Sequence, residues 1–169
     1  MKKIKREFIH GGKECQMKSG YMLEEEDLAL IKERYNLLKR SNEINLKLSC
    51  RKDNVPEAVS EGLTCMLFDW YRTNGSGSLY GVSGSGDALN IKDDGIGEII
   101  QIKSYTKRKG GAGPTSFGPR SQYDKLIALE VDLDTDLFSY YDLSDIDIYS
   151  INVSKTETVE DQSNSGKRP

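Results

Sequence analysis

Three side chains with chemistry to offer stand within one short stretch: Asp87, and then Gln101 and Lys103 with a single residue between them. Ala88-Leu89-Asn90-Ile91 follows the aspartate, Asp93-Asp94-Gly95 has the composition of a tight turn, and Gly97-Glu98-Ile99-Ile100 leads into the glutamine. The pattern predicts two strands folded into a hairpin by that turn. Side chains alternate along a strand, so Ile100 and Ile102 point one way while Gln101 and Lys103 point the other. The hairpin would gather a carboxylate, an amide and an ammonium at one end of one sheet face. Such a group at the end of an apolar strand is the minimum equipment for Mg²⁺-assisted hydrolysis of a phosphodiester.

Other chemistries are poorly provided for. The chain has one histidine, His10, and its cysteines (Cys15, Cys50, Cys65) form no CxxC pair. Zinc sites, histidine-dependent nucleases and nucleophilic triads are therefore disfavoured. Oxygen ligands and lysines remain, which suits Mg²⁺, a hard cation that keeps several waters. Asp87 is the expected anchoring ligand, Gln101 can add its side-chain carbonyl, and the backbone carbonyl of Ile102 can complete the set. Glu61, or Glu57 one turn earlier, could aim a further carboxylate from a helix. Lys103 would orient or deprotonate the attacking water and stabilise charge on the phosphorane. The bland alternatives are a solvated helix face for the glutamates and a structural ion pair for Asp87 and Lys103. An exposed pair of that kind contributes only about 0–1 kcal/mol.

The elements that must position these groups can be read outward from the hairpin. Asn54 and Pro56 mark the start of a helix over 55–71, with Val59, Leu63, Met66 and Trp70 as its apolar stripe. A longer helix over 24–48 begins with acids and carries Leu28, Ile31, Tyr35 and Leu38 at helical spacing, with an interruption expected near Ser41-Asn42. It would cover the core or form a dimer. Residues 1–22 are polar, and a flexible arm with at most one short strand is expected there. Glycines and serines over 73–86 suggest a surface loop, without the lysine of a Walker A motif or any GxSxG. Strands are expected at 126–131 and 137–143, a weaker edge element around Ile146, Ile148 and Ile151, and a polar tail over 154–169. The order predicts a single α/β or α+β domain over 23–153, with a central mixed sheet (core 86–151) flanked by helices.

Charge is distributed unevenly. The chain is −3 overall. Between Lys103 and Lys125, however, six basic residues face one acid, Asp124, for a local +5. Lys107, Arg108, Lys109, Ser116 and Arg120 in this segment are candidates for tracking DNA phosphates, with a solvated charge run as the alternative. No apolar run approaches the roughly 20 residues that span a bilayer. The basic start has no apolar stretch after it, so no signal peptide is expected, and a cytoplasmic location is.

Asp87, a turn and Gln101-x-Lys103, with an upstream helix glutamate, closely resemble the PD-(D/E)XK nuclease signature. The phrase Asn54-Val55-Pro56-Glu57-Ala58-Val59-Ser60-Glu61 looks like the start of small type II restriction endonucleases of that superfamily. Thr115-Ser116-Phe117-Gly118-Pro119 followed by Gln122-Tyr123-Asp124-Lys125 does too. The likeness covers about residues 54–143. Gln101 stands where the pattern usually has an acid, and Glu98 could compensate in a shifted register. The resemblance implies a restriction-endonuclease-like core and a Mg²⁺-dependent homodimer. It also implies cleavage of double-stranded DNA at a short palindrome, beside a partner methyltransferase. The competing expectations are another nuclease of the same core, such as a junction resolvase or repair enzyme, and a non-catalytic DNA-binding module.

Overall fold

The computed structural model describes residues 1–74, 77–82, 86–107 and 122–145. Two glycines shape its first element. Gly11 and Gly12 have φ of 58° and 74°, the left-handed values that a two-residue hairpin loop demands at both positions. They fold β1 (Lys2–His10) back on β2 (Lys13–Met22). Residues 1–22 are thus a hairpin within the sheet, not the flexible arm that their polarity suggested. The polar side chains face outward, while Ile4, Phe8, Cys15 and Met17 are buried against Leu89.

Helix α1 (Glu25–Lys47) opens with Glu25, Glu26 and Asp27 in its first turn, and the Asp27 carboxylate accepts the Glu24 N–H at 2.9 Å. It runs without the expected break. The Asn42 amide donates to the Leu38 carbonyl at 2.8 Å and accepts the Asp53 N–H at 2.9 Å. With both ends of the side chain satisfied, a residue that usually competes with helix backbone is held inside it. Helix α2 (Glu57–Phe68) is shorter than the expected 55–71 because Asp69 turns left-handed, with φ of 57°. Its buried face is narrower in apolar content than expected: Val59 is buried, Leu63 and Met66 only half so, and Ser60, Gly62, Thr64 and Cys65 complete it. Ser60 and Thr64 bury their hydroxyls by donating back to the carbonyls of Pro56 and Ser60. A side chain at Gly62 would place its Cβ 3.2 Å from Ile31 of α1, so the glycine sets the close packing of the two helices.

The remaining strands are β3 (Tyr71–Thr73), β4 (Leu79–Tyr80), β5 (Ala88–Ile91), β6 (Gly97–Thr106), β7 (Lys125–Asp132) and β8 (Leu137–Asp142). They form one sheet in the order β1-β2-β3-β5-β6-β7-β8, with β4 paired to β2. The β6–β7 pair is parallel and its neighbours are antiparallel, so the sheet is mixed and the fold α+β. On the helix side, Ile100, Ile102 and Ile127 pack on Cys65 and Trp70, while Leu129 and Val131 pack on Val59 and Leu38. On the other face Ile99 packs on Leu126 and Tyr123. Leu89, Ile100 and Leu129 are fully enclosed, each adding about 1.5–3 kcal/mol by leaving water. Most of the fully enclosed strand side chains therefore lie in β5, β6 and β7, the strands that carry the candidate chemistry. The element expected around Ile146, Ile148 and Ile151 and the tail at 154–169 lie outside the described residues.

Candidate active site

The hairpin forms as the alternation predicts. Ala88 pairs with Ile100 and Ile91 with Gly97, and Gly95 takes the turn at φ of 80°. Asp87 sits one residue before β5, where it leaves the ladder. Its N–H donates to the Ile100 carbonyl at 2.8 Å, and its carbonyl accepts the Thr73 N–H at 3.0 Å. Gly86 makes this approach feasible, since a Cβ there would stand 2.7 Å from the Ile100 oxygen. The Asp87 backbone is thus clamped between β3 and β6.

With the backbone fixed, the side chain has one place to go. Asp87 Oδ2 accepts the Ile102 N–H at 2.7 Å and a hydrogen bond from the Gln101 amide. Burial raises the Asp87 carboxyl above its ordinary value, against the lowering effects of the Ile102 N–H, the Lys103 charge and the Gln101 amide. Lys103 is half-buried on the Gln101 face and makes no ion pair among the described residues. A direct Asp87–Lys103 ion pair, the structural alternative, is not formed. Glu98 does not stand in for Gln101: it is on the opposite strand face, bonded to Lys92 at 2.8 Å and to Asn90 at 3.1 Å.

A fourth group comes from α2. Glu61 is half-buried and its carboxyl is pushed up to about 7, first by burial and then by the negative charge of Asp87. Arg72 opposes this, donating to Glu61 from Nε at 3.0 Å and to Glu57 from Nη2 at 3.2 Å. Glu57 is 77% exposed and Glu61 only 15%, so Glu61 is the glutamate turned inward. Arg72 was not singled out in the sequence. Its only signal was an arginine in a short strand directly after α2, and its role depends on a pairing with Ala88 that local pattern does not reveal.

The structure therefore brings Asp87, Gln101, Ile102, Lys103 and Glu61 to one locality and adds Arg72. Among the described residues no group of three His, Cys, Asp or Glu side chains could hold a metal. The donor set is two carboxylates plus neutral amide and carbonyl oxygens. Both carboxyls are held above their ordinary values by burial, and Glu61 further by the charge of Asp87, so a cation would relieve both, and an all-oxygen set fits a hard divalent one. Lys107 lies further along, its N–H on the Val131 carbonyl and its ammonium 3.2 Å from Asp132. Arg108, Lys109, Ser116 and Arg120 lie outside the described residues. A cavity of about 920 Å³ lined by Lys107, Lys39, Arg51 and Asp134 among others contains none of Asp87, Glu61, Gln101 or Lys103. A site for a duplex is an open edge, so depth is not its mark.

The family model of the Bsp6I restriction endonuclease matches residues 23–169. The type II restriction enzyme Bsp6I of Bacillus sp. (strain RFL6) is 31% identical over 137 residues, which cover 80% of this chain and 71% of that protein. No solved structure matches. No described helix is long and apolar enough to cross a membrane.

Proposed function

The chain belongs to the Bsp6I restriction endonuclease family and is a type II restriction endonuclease, and from that premise we propose that Asp87, Glu61, Gln101 and Lys103 form its catalytic group, with Mg²⁺ as cofactor. The observation that carries this is the pair of buried carboxyls, with the charge of Asp87 raising the inward-turned Glu61 further, beside a lysine whose charge acts on Asp87 and which has no ion-pair partner among the described residues. Asp87, Glu61, the Gln101 side-chain carbonyl and the Ile102 backbone carbonyl would hold the ion. When bound, it supplies a water of lowered pKa and shields phosphate charge.

The chain's own residues do the positioning. The Ile102 N–H and the Gln101 amide fix Asp87 Oδ2, so that carboxylate enters the reaction already oriented. Arg72 holds Glu61 at the rim by its Nε. The Lys103 ammonium is available to donate a hydrogen bond that orients the attacking water and to meet the charge that develops on the phosphorane. Lys107, Arg108, Lys109, Ser116 and Arg120 would track the backbone of double-stranded DNA. Two copies would be needed to cut both strands at a short specific sequence. A cognate DNA methyltransferase would protect the host's own sites in the cytoplasm.

The test is digestion of unmethylated plasmid with Mg²⁺, with EDTA and Asp87→Ala as controls. Discrete fragments that vanish in both controls support the proposal. Fragments that persist with Asp87→Ala would contradict it.

A further inference from the structure

Helix α1 buries Ile31, Leu38 and Asn42 on one side and leaves a second apolar line outside. Leu30, Leu37 and Ile44 are 64%, 52% and 44% exposed. They recur every seven residues, a spacing that drifts by only about 20° per step on a straight helix. Isolated exposed leucines need no explanation. Three in one line at heptad spacing resemble half of a helix–helix seam.

Beside that line runs a second one, also spaced by seven and also exposed: Glu26, Glu33, Arg40 and Lys47. Two acids are followed by two bases. A copy of α1 laid alongside in parallel would set Glu26 against Glu26 and Arg40 against Arg40. A copy laid antiparallel sets Glu26 against Lys47 and Glu33 against Arg40, and two-fold symmetry repeats each pair. The same alignment places Leu37 on Leu37 and Leu30 on Ile44. The apolar line fits a second copy of α1, and the charge pattern selects the antiparallel orientation.

We propose that this face of α1 joins two copies of the chain, with the two helices antiparallel about a two-fold axis near Leu37. Leu30, Leu37 and Ile44 form the dry seam, and the Glu33–Arg40 and Glu26–Lys47 pairs at its rim set the direction. Arg40 now bonds Glu43 on its own helix at 2.9 Å, an exposed pair that is weak enough to exchange. One helix pair covers less than the roughly 800 Å² per partner of a standard interface, so the dimer depends on concentration. This inference rests on α1 alone and not on the assignment of Asp87. Joined to that assignment, it supplies one active site for each strand.

Sedimentation equilibrium of the full chain over a wide concentration range tests it. The wild type associates to a dimer. Leu37→Lys stays monomeric at every concentration with unchanged far-ultraviolet circular dichroism. Glu33→Arg alone weakens the dimer about tenfold or more, and adding Arg40→Glu restores it, because the reversed charges again pair. A wild type that remains monomeric, a Leu37→Lys variant that dimerises as before, or a double reversal no tighter than the single one would each overturn the proposal. Asp87→Ala should dimerise like the wild type, so loss of cleavage with an intact dimer, or the converse, shows which of the two readings has failed.

Discussion

Two aspartates hold β6 by the same bond and differ in everything else. Asp87 accepts the Ile102 N–H at 2.7 Å at one edge of the strand, and Asp124 accepts the Ile99 N–H at 2.7 Å at the other. Asp124 then turns outward to His10 at the tip of the first hairpin, at 2.9 Å. Asp87 turns inward, to the Gln101 amide and towards Glu61 and Lys103. The backbone bond therefore says nothing about role. What separates the two carboxylates is the company they keep: Asp124 has solvent and an imidazole, whereas Asp87 is buried beside a second acid, Glu61, which its charge raises.

The comparison can be broken at either aspartate. The largest effect is expected on catalysis. Asp87→Ala or Lys103→Ala should lower cleavage by at least about a hundredfold, in line with removal of one oriented charge from an active site. Lys103→Ala should still bind DNA in a gel-shift assay. Asp124→Ala should leave cleavage near wild type in the folded protein but lower stability by about 1–3 kcal/mol in urea unfolding, since it frees a strand N–H. Equal loss of activity in both aspartate variants would erase the distinction.

A third variant sharpens it through pH. The Glu61 carboxyl titrates near 7 in the folded metal-free protein against an ordinary 4.5. The folded state thus holds more protons than the unfolded one between those values. Stability is fully present below pH 4.5 and falls as pH rises to about 7, by roughly 3 kcal/mol if the whole shift is expressed. Glu61→Gln should flatten that slope in thermal melts with EDTA, and an unchanged slope would contradict the raised carboxyl. The smallest effect expected is on binding without chemistry. Lys107→Ala should reduce the salt slope of DNA affinity by about one, and an unchanged slope would remove Lys107 from the contact surface.

Much of the central hairpin was legible because its signals are local. Alternating isoleucines and an Asp-Asp-Gly turn fix which side chains share a face, so spacing alone groups Asp87, Gln101 and Lys103. The first hairpin carried an equally local signal in Gly11-Gly12, but its polar outward residues masked the buried line of Ile4, Phe8, Cys15 and Met17. Asn42 misled for a different reason: its partner Asp53 comes from beyond the end of α1. Arg72 and the choice between Glu57 and Glu61 were illegible for the same cause. They depend on how α2 sits over β3, a tertiary fact with no counterpart in spacing.

The most direct measurement is calorimetric titration of the DNA-free protein with Mn²⁺ or Mg²⁺ at pH 8 and pH 6. The wild type and Asp124→Ala should bind the ion, more weakly at pH 6 where Glu61 holds its proton, and Asp87→Ala should not. Binding by Asp87→Ala that matches the wild type would contradict the assignment of Asp87 as the anchoring ligand.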